Sequence, residues 1–304
     1  MITLETYFKQ HYSPKSISNY LGITERFKAY MNNKPETASY KNILEYIGYL
    51  RQSKLSPRSI HNYLHVVKAY YNWLTETNQR KDHPCKRLNL KDRINKSIAI
   101  ESLYSFETLE NLLQSHQSKN KTLQKRDECV ISLLIYQALT VQELSDLELN
   151  NLNLDKGTIY IKAGRSNRSR TLSLKSQQIM TFYQYINTDR LQLLKKNKQA
   201  TESNKKRLIL SYTGKPILSM NITDILNPRR LNVSEMPPKA VQNKPKLLPL
   251  KIRQSVLAHL LKQNHDVRIV QVFAGHRKAA STEEYKQTGL EELKTAVGKY
   301  HPLQ

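Results

Sequence analysis

Arg253, His276 and Tyr285 are the residues whose types and spacing bear on chemistry, with Tyr285 nine positions after the histidine. A guanidinium holds anionic oxygens in a planar fork. An imidazole exchanges protons near neutral pH, and a phenolic hydroxyl can act as a nucleophile. Taken singly, none of the three marks a site: a lone tyrosine is ordinarily packing, and a histidine after Gly275 reads as a helix terminus. A second group, Arg165, Arg168 and Arg170, lies in AGRSNRSR between two β-rich runs, GTIYIKA and RTLSL. It reads either as a solvated loop or as a hairpin that tracks a groove. Thr140-x-x-Glu143 has a plain structural reading, a capping box that opens a helix. His259, on an apolar helical face, reads as structural.

The charge narrows the partners. The 304 residues carry 49 Lys+Arg against 25 Asp+Glu, net +24. Such a balance favours a polyanion, nucleic acid or an acidic membrane face, without choosing a fold. Residues 1–95 hold 16 basic and 7 acidic residues, so +9 lies there and +15 in the remainder. A single basic tail is thereby excluded, and two basic modules suit a clamp around a duplex. No run approaches a membrane span, and no basic amphipathic helix with a lipid-facing side stands out. The N-terminus lacks the apolar core of a signal peptide, and a reduced cytoplasmic setting is expected for Cys85 and Cys129. The histidines and cysteines show no metal-ligand spacing, so neither metal nor other cofactor is expected.

Positioning these groups requires two domains. Apolar recurrence predicts helices over 14–31, 42–52 and 57–75, the last begun by Ser56-Pro57. Residues 1–90 are expected to form a helical bundle. Ten of the eighteen tyrosines fall in its first 71 residues, mostly as packing. Residues 91–101 read as a linker and 102–304 as the second domain. In that domain helices are expected at 106–115, 126–138, 141–148, 251–264 and 266–274, with a further one at 289–297. Strands are expected at 157–163 and 170–174, and RLILSY (207–212) is a candidate third. Five prolines among residues 225–249 argue for a long loop. The fold class is mainly α with a small antiparallel β-sheet (α+β).

Three stretches, in order, carry a resemblance. LSPRSIHNYLHVVKAYYNWLTETNQRKDHPCKRL (55–88) is similar to the end of the helical, SAM-like core-binding domain of the tyrosine recombinase (lambda-integrase) family. RDECVISLLIYQALTVQELSDLELNNLNLDKGTIYI (126–161) resembles the opening of that family's catalytic domain. LPLKIRQSVLAHLLKQNHDVRIVQVFAGHRKAASTEEYK (248–286) resembles its closing box. The resemblance implies that Tyr285 attacks a DNA phosphodiester to form a 3′-phosphotyrosine. It makes Arg253 the second phosphate-binding arginine, His276 the third-position donor and Glu143 the acidic partner, without a metal. Arg58, Lys68 and Lys251, with Arg165, Arg168 and Arg170, are the DNA-contact candidates.

Three of the seven expected active-site positions differ from the family pattern. Gly-Leu-Arg-x-x-Glu-Leu stands here as Ala138-Leu139-Thr140-Val141-Gln142-Glu143-Leu144, so Thr140 replaces the first arginine. Arg165 replaces the hairpin lysine and Leu250 the histidine of His-x-x-Arg; Gln254 replaces a further histidine. Arginine keeps the charge but is a poor proton donor, because its pKa exceeds about 12. Leucine cannot carry a proton at all. Two functions follow. One is site-specific cleavage and rejoining of double-stranded DNA through an atypical site, with Arg168 or Arg170 as a stand-in for the missing arginine. The other is a recombinase-like plasmid or phage replication initiator, or an accessory DNA-binding protein, with little recombinase activity. Both imply repeated or inverted-repeat sites and self-association on DNA.

Overall fold

The computed structural model describes residues 2–94, 98, 102–118, 120–165, 167–197, 201–227 and 246–286. The expected helix at 289–297, residues 95–97 and 99–101 of the expected linker, and residues 228–245 of the proline-rich loop lie outside these. The chain divides into two compact units, Met1–Lys96 and Ser97–Gln304.

The first unit is a helical bundle of α1 (Leu4–His11), α2 (Pro14–Tyr30), α3 (Tyr40–Gln52) and α4 (Pro57–Glu76). Proline opens both α2 and α4, where its missing N–H costs nothing, and the Ser56 side chain accepts from the Ser59 amide. The 3.6-residue stripe of α4 delivers Ile60, Leu64, Val67, Tyr71 and Leu74 to the core, against Phe27, Ile43, Tyr46 and Ile47. Several of the tyrosines here are packing groups with a satisfied hydroxyl. Tyr71 donates to the Pro35 carbonyl at 2.8 Å, Tyr70 to Glu36 at 3.1 Å, and Tyr7 to Glu76 at 3.0 Å. These bonds tie the 35–38 turn and α1 to α4. Helix α1 carries no long periodic stripe and was not anticipated.

The second unit is built around α6 (Gln124–Tyr136), buried almost on every side from Cys129 to Ile135, and α5 (Phe106–Ser115) packs against it. Short α7 (Val141–Asp146) follows. The sheet is β1 (Leu152–Asn153), β2 (Thr158–Ile161) and β3 (Arg170–Ser173), antiparallel in that order, with Ile161 opposite Arg170. RLILSY is not its third strand. Residues 207 and 210 form only isolated bridges, to Glu148 and Pro216, and Leu208, Ile209 and Leu210 are buried consecutively. Helices α8 (Ser176–Gln184), α9 (Arg190–Lys196), α10 (Glu202–Lys206) and α11 (Ser219–Leu226) lead to α12 (Pro249–Lys262), α13 (Val267–Ala274) and α14 (Ala280–Glu283). Among the described residues no helix is long and apolar enough to cross a membrane, and no cluster of His, Cys, Asp or Glu could hold a metal.

Candidate active site

Four segments meet around Glu143. Ser-like capping begins it: the Thr140 hydroxyl accepts from the Glu143 amide at 3.2 Å, and the Glu143 carboxylate accepts from the Thr140 amide at 2.8 Å. The capping box read from the sequence is therefore present at the start of α7. The same carboxylate receives Arg170 at 2.6 and 3.2 Å and the Asn167 side-chain amide at 2.6 Å. The Arg253 guanidinium lies 3.9 Å away. Burial opposes ionisation of Glu143, but the Arg170 hydrogen bonds and charge outweigh it and hold the carboxyl below the usual carboxylate range.

Arg253 projects from α12 into the interior and donates to the carbonyls of Ala138 and Ala274, the latter at 2.7 Å. Its third contact is His276 Nε2, at 3.1 Å. Burial draws the Arg253 pKa down from its ordinary value, against the pull of Glu143. Ala138, standing where the family pattern has glycine, takes φ 48°, a region that favours glycine.

Gly275 ends α13 at φ 73° and lets the chain turn back against the hairpin. A Cβ there would come within 2.5 Å of an Arg170 nitrogen. The Arg168 amide donates to the Gly275 carbonyl at 2.8 Å, and Arg277 donates to the Gly164 carbonyl at 2.9 Å. The loop between β2 and β3 is thus fastened to the turn that carries His276. Burial, then the charges of Arg253 and Arg170, push the His276 imidazole down to about 4. His276 Nδ1 pairs with the buried Thr282 hydroxyl at 2.9 Å. The Tyr285 ring stacks on the imidazole, 6.0 Å between centroids and 18° between planes. Burial raises its phenol above the ordinary value, and the Arg253 charge opposes that rise.

Arg253, His276, Tyr285 and Glu143 are therefore one cluster. Arg165 and Arg168 lie exposed on the loop. Arg170 departs from its expected place as a DNA-contact residue or substitute clamp: its side chain is 2% exposed and both terminal nitrogens bind Glu143. Strand alternation is the reason, since positions 170 and 172 share the inward face of β3. Leu250 is 63% exposed on the first turn of α12. Lys251 rests its ammonium over the Tyr104 ring at 5.0 Å. In the first unit Arg58 is exposed at the start of α4 and Lys68 half-buried further along it. His259 stacks on Phe106, 4.9 Å between centroids, a packing role as expected. Thr282 and Asn167, which hold His276 and Glu143, were not anticipated from the sequence.

Comparison with known proteins places the chain in a family. Residues 103–291 match the phage integrase family, and residues 3–81 match the phage integrase N-terminal SAM-like domain. Tyrosine recombinase XerC of Halalkalibacterium halodurans is 24% identical over 298 residues, covering 97% of this chain and 93% of that protein. Tyrosine recombinase XerD of Rickettsia prowazekii is 25% identical over 269 residues, covering 86% and 82%. Among solved structures, XerH recombinase in a post-cleavage complex with a palindromic difH substrate aligns with a TM-score of 0.69 at 16% identity, covering 98% of this chain and 85% of that one. The Tn1549 transposon integrase with transposon right end DNA aligns at 0.63 and 15% identity, covering 99% and 100%. By both domains and by its relatives along nearly its whole length, the chain belongs to the phage integrase family of tyrosine recombinases.

Proposed function

We propose that the chain binds double-stranded DNA with both domains and cleaves it through a 3′-phosphotyrosine at Tyr285. The observation that carries this reading is the convergence of Arg253, His276 and Tyr285 from separate elements, with His276 bonded to Arg253 and stacked on Tyr285. A phosphodiester at this point would meet the Arg253 guanidinium, which can turn from His276 to a phosphate oxygen. Stabilising charge on that oxygen in the transition state is what such a donor contributes. Glu143 acts by positioning: it aligns Arg170 and the hairpin and stands beside Arg253. Arg165 and Arg168, exposed and fastened by their loop to the His276 turn, supply backbone contacts. Arg58 and Lys68 do the same on the first domain, and the net charge of +24 supports a polyanionic partner. The solved complexes of XerH and the Tn1549 integrase with DNA support the same substrate class.

A second reading is replication initiation or accessory binding at repeated DNA sites, with self-association there and little cleavage. The Thr140 cap and exposed Leu250 favour it, because both put groups without charge where the family pattern has phosphate or proton chemistry. A nicked suicide duplex carrying the cognate site separates the two. Cleavage predicts a covalent protein–DNA adduct that Tyr285→Phe abolishes. Tight binding with no adduct from the native protein would refute the cleavage reading.

The hairpin offers a milder check. Arg165→Ala and Arg168→Ala should each weaken binding to all duplexes alike and reduce the slope of log affinity against log salt by about one. Fluorescence anisotropy over a salt series measures this. An unchanged slope would remove these arginines from the interface.

A further inference from the structure

His276 holds two hydrogen bonds through its ring, and together they decide where its proton sits. An arginine N–H only donates, so Nε2, 3.1 Å from the Arg253 nitrogen, must present its lone pair. A neutral ring then carries its hydrogen on Nδ1, which donates to the Thr282 hydroxyl at 2.9 Å. Thr282 is fully buried and its own backbone is fixed: its amide donates to the Ala279 carbonyl at 2.7 Å, and its carbonyl accepts from the Tyr285 amide at 3.0 Å. One residue thereby braces both the imidazole and the backbone of the tyrosine.

We propose that Thr282 is a positioning residue that locks His276 as the Nδ1–H tautomer, making Nε2 the acceptor for the Tyr285 proton; this rests on the cleavage reading above. Within this buried cluster the neighbouring groups leave no better acceptor, and the Glu284 carboxylate, whose charge also acts on Tyr285, is exposed to solvent. Leu250 has no titratable atom. The Glu143 carboxylate is already occupied by Arg170, Asn167 and Thr140. Arg253 and Arg170 are donors only. The two arginines and burial also keep the imidazole neutral, as its low pKa of about 4 reflects. When a phosphate oxygen draws Arg253 away, the Nε2 lone pair is released beside the Tyr285 ring. The Oη–H bond breaks, its proton passes to Nε2, and the Oη electron pair forms the bond to phosphorus. The bond from phosphorus to the 5′-oxygen breaks with its electron pair on that oxygen, which takes a proton from water. The imidazolium returns its proton to the hydroxide so formed.

Nitrogen-15 NMR of the histidine-labelled full chain, free of DNA, tests the tautomer without any cleavage. At neutral pH, Nδ1 of His276 should be protonated and Nε2 unprotonated. Thr282→Ser should keep that pattern, and Thr282→Val should yield a mixture of tautomers once bound duplex draws Arg253 to a phosphate, because in the free protein Arg253 alone still requires the Nε2 lone pair. In the suicide-substrate assay Thr282→Val should slow adduct formation about tenfold and Thr282→Ser by no more than about threefold. Adding Thr282→Val to His276→Gln should slow the reaction no further, because Thr282 acts through the imidazole. A protonated Nε2 in the native protein would overturn the proposal, as would an equal slowing by Thr282→Val with or without His276. If Thr282→Val does not fold, the native spectrum and Thr282→Ser still decide. If no variant or native protein forms an adduct, the cleavage reading fails, and the acceptor role falls with it, while the spectrum still reports the tautomer lock on its own.

Discussion

Replacing Glu143 with alanine is expected to destabilise the second domain by about 3–5 kcal/mol, the cost of breaking a buried ion pair from one side. The substitution removes the carboxylate that receives Arg170 twice, Asn167 once and the Thr140 amide, and that lies 3.9 Å from Arg253. Two guanidiniums would remain in the interior, at 2% and 6% side-chain exposure, with no anion among these contacts. Loss of half the capping box adds to the cost, since it frees the Thr140 amide at the start of α7. Urea denaturation followed by circular dichroism would measure the change. A loss under about 1 kcal/mol would mean that water or a rearranged partner already satisfies the two arginines.

The same carboxylate sets an acid limit. Glu143 is held below its unfolded pKa, so its stabilisation is fully present above the usual carboxylate range. It fades as the pH falls through the depressed folded value, because the unfolded chain binds that proton more readily. The native protein should therefore lose stability in acid more steeply than Glu143→Gln, which has no charge to neutralise. Parallel stability curves for the two proteins below the usual carboxylate range would contradict the buried pair.

What the sequence made legible follows from how local each feature is. Helix α4 was readable because a proline start and an apolar stripe specify it within twenty residues. The turn at Gly275 was readable because only a left-handed position demands glycine there. The Thr140–Glu143 cap spans three residues and needs no partner to be recognised. Arg170 could have been read correctly: it shares parity with Leu172 and Leu174 in RTLSL, and a strand sends alternate residues to one face. RLILSY misled because consecutive apolar residues fit either a buried strand or any buried segment, and here tertiary packing used the second option. Thr282 and Asn167 left no signal. Their importance comes from what folding brings beside them, a histidine six residues back and a glutamate twenty-four residues back, and neither spacing is a helical or strand repeat.

Thr140→Arg should raise the rate of adduct formation about 10²-fold, in line with the worth of one transition-state donor. Thr140 is half-exposed, and its hydroxyl lies 3.0 Å from the Glu143 carboxylate, which in turn stands beside Arg253. A guanidinium starting from this backbone position can remain near Glu143 and reach toward the space in front of Arg253. The exchange has a cost: the hydroxyl that caps α7 disappears, worth about 1 kcal/mol. Part of that is offset by the new cation beside a buried carboxylate. Thr140→Ala separates the two effects, since it removes the cap and adds no charge, and it should destabilise the domain without accelerating cleavage. The acceleration must vanish in Thr140→Arg combined with Tyr285→Phe, because the arginine serves the phosphotyrosine step alone. If Thr140→Arg binds the duplex as tightly as the native protein and forms adduct no faster, the missing arginine is not what limits the site. The burden then falls on the proton-carrying groups absent at Leu250 and Arg165, and the reading of a DNA-binding scaffold with little cleavage gains accordingly.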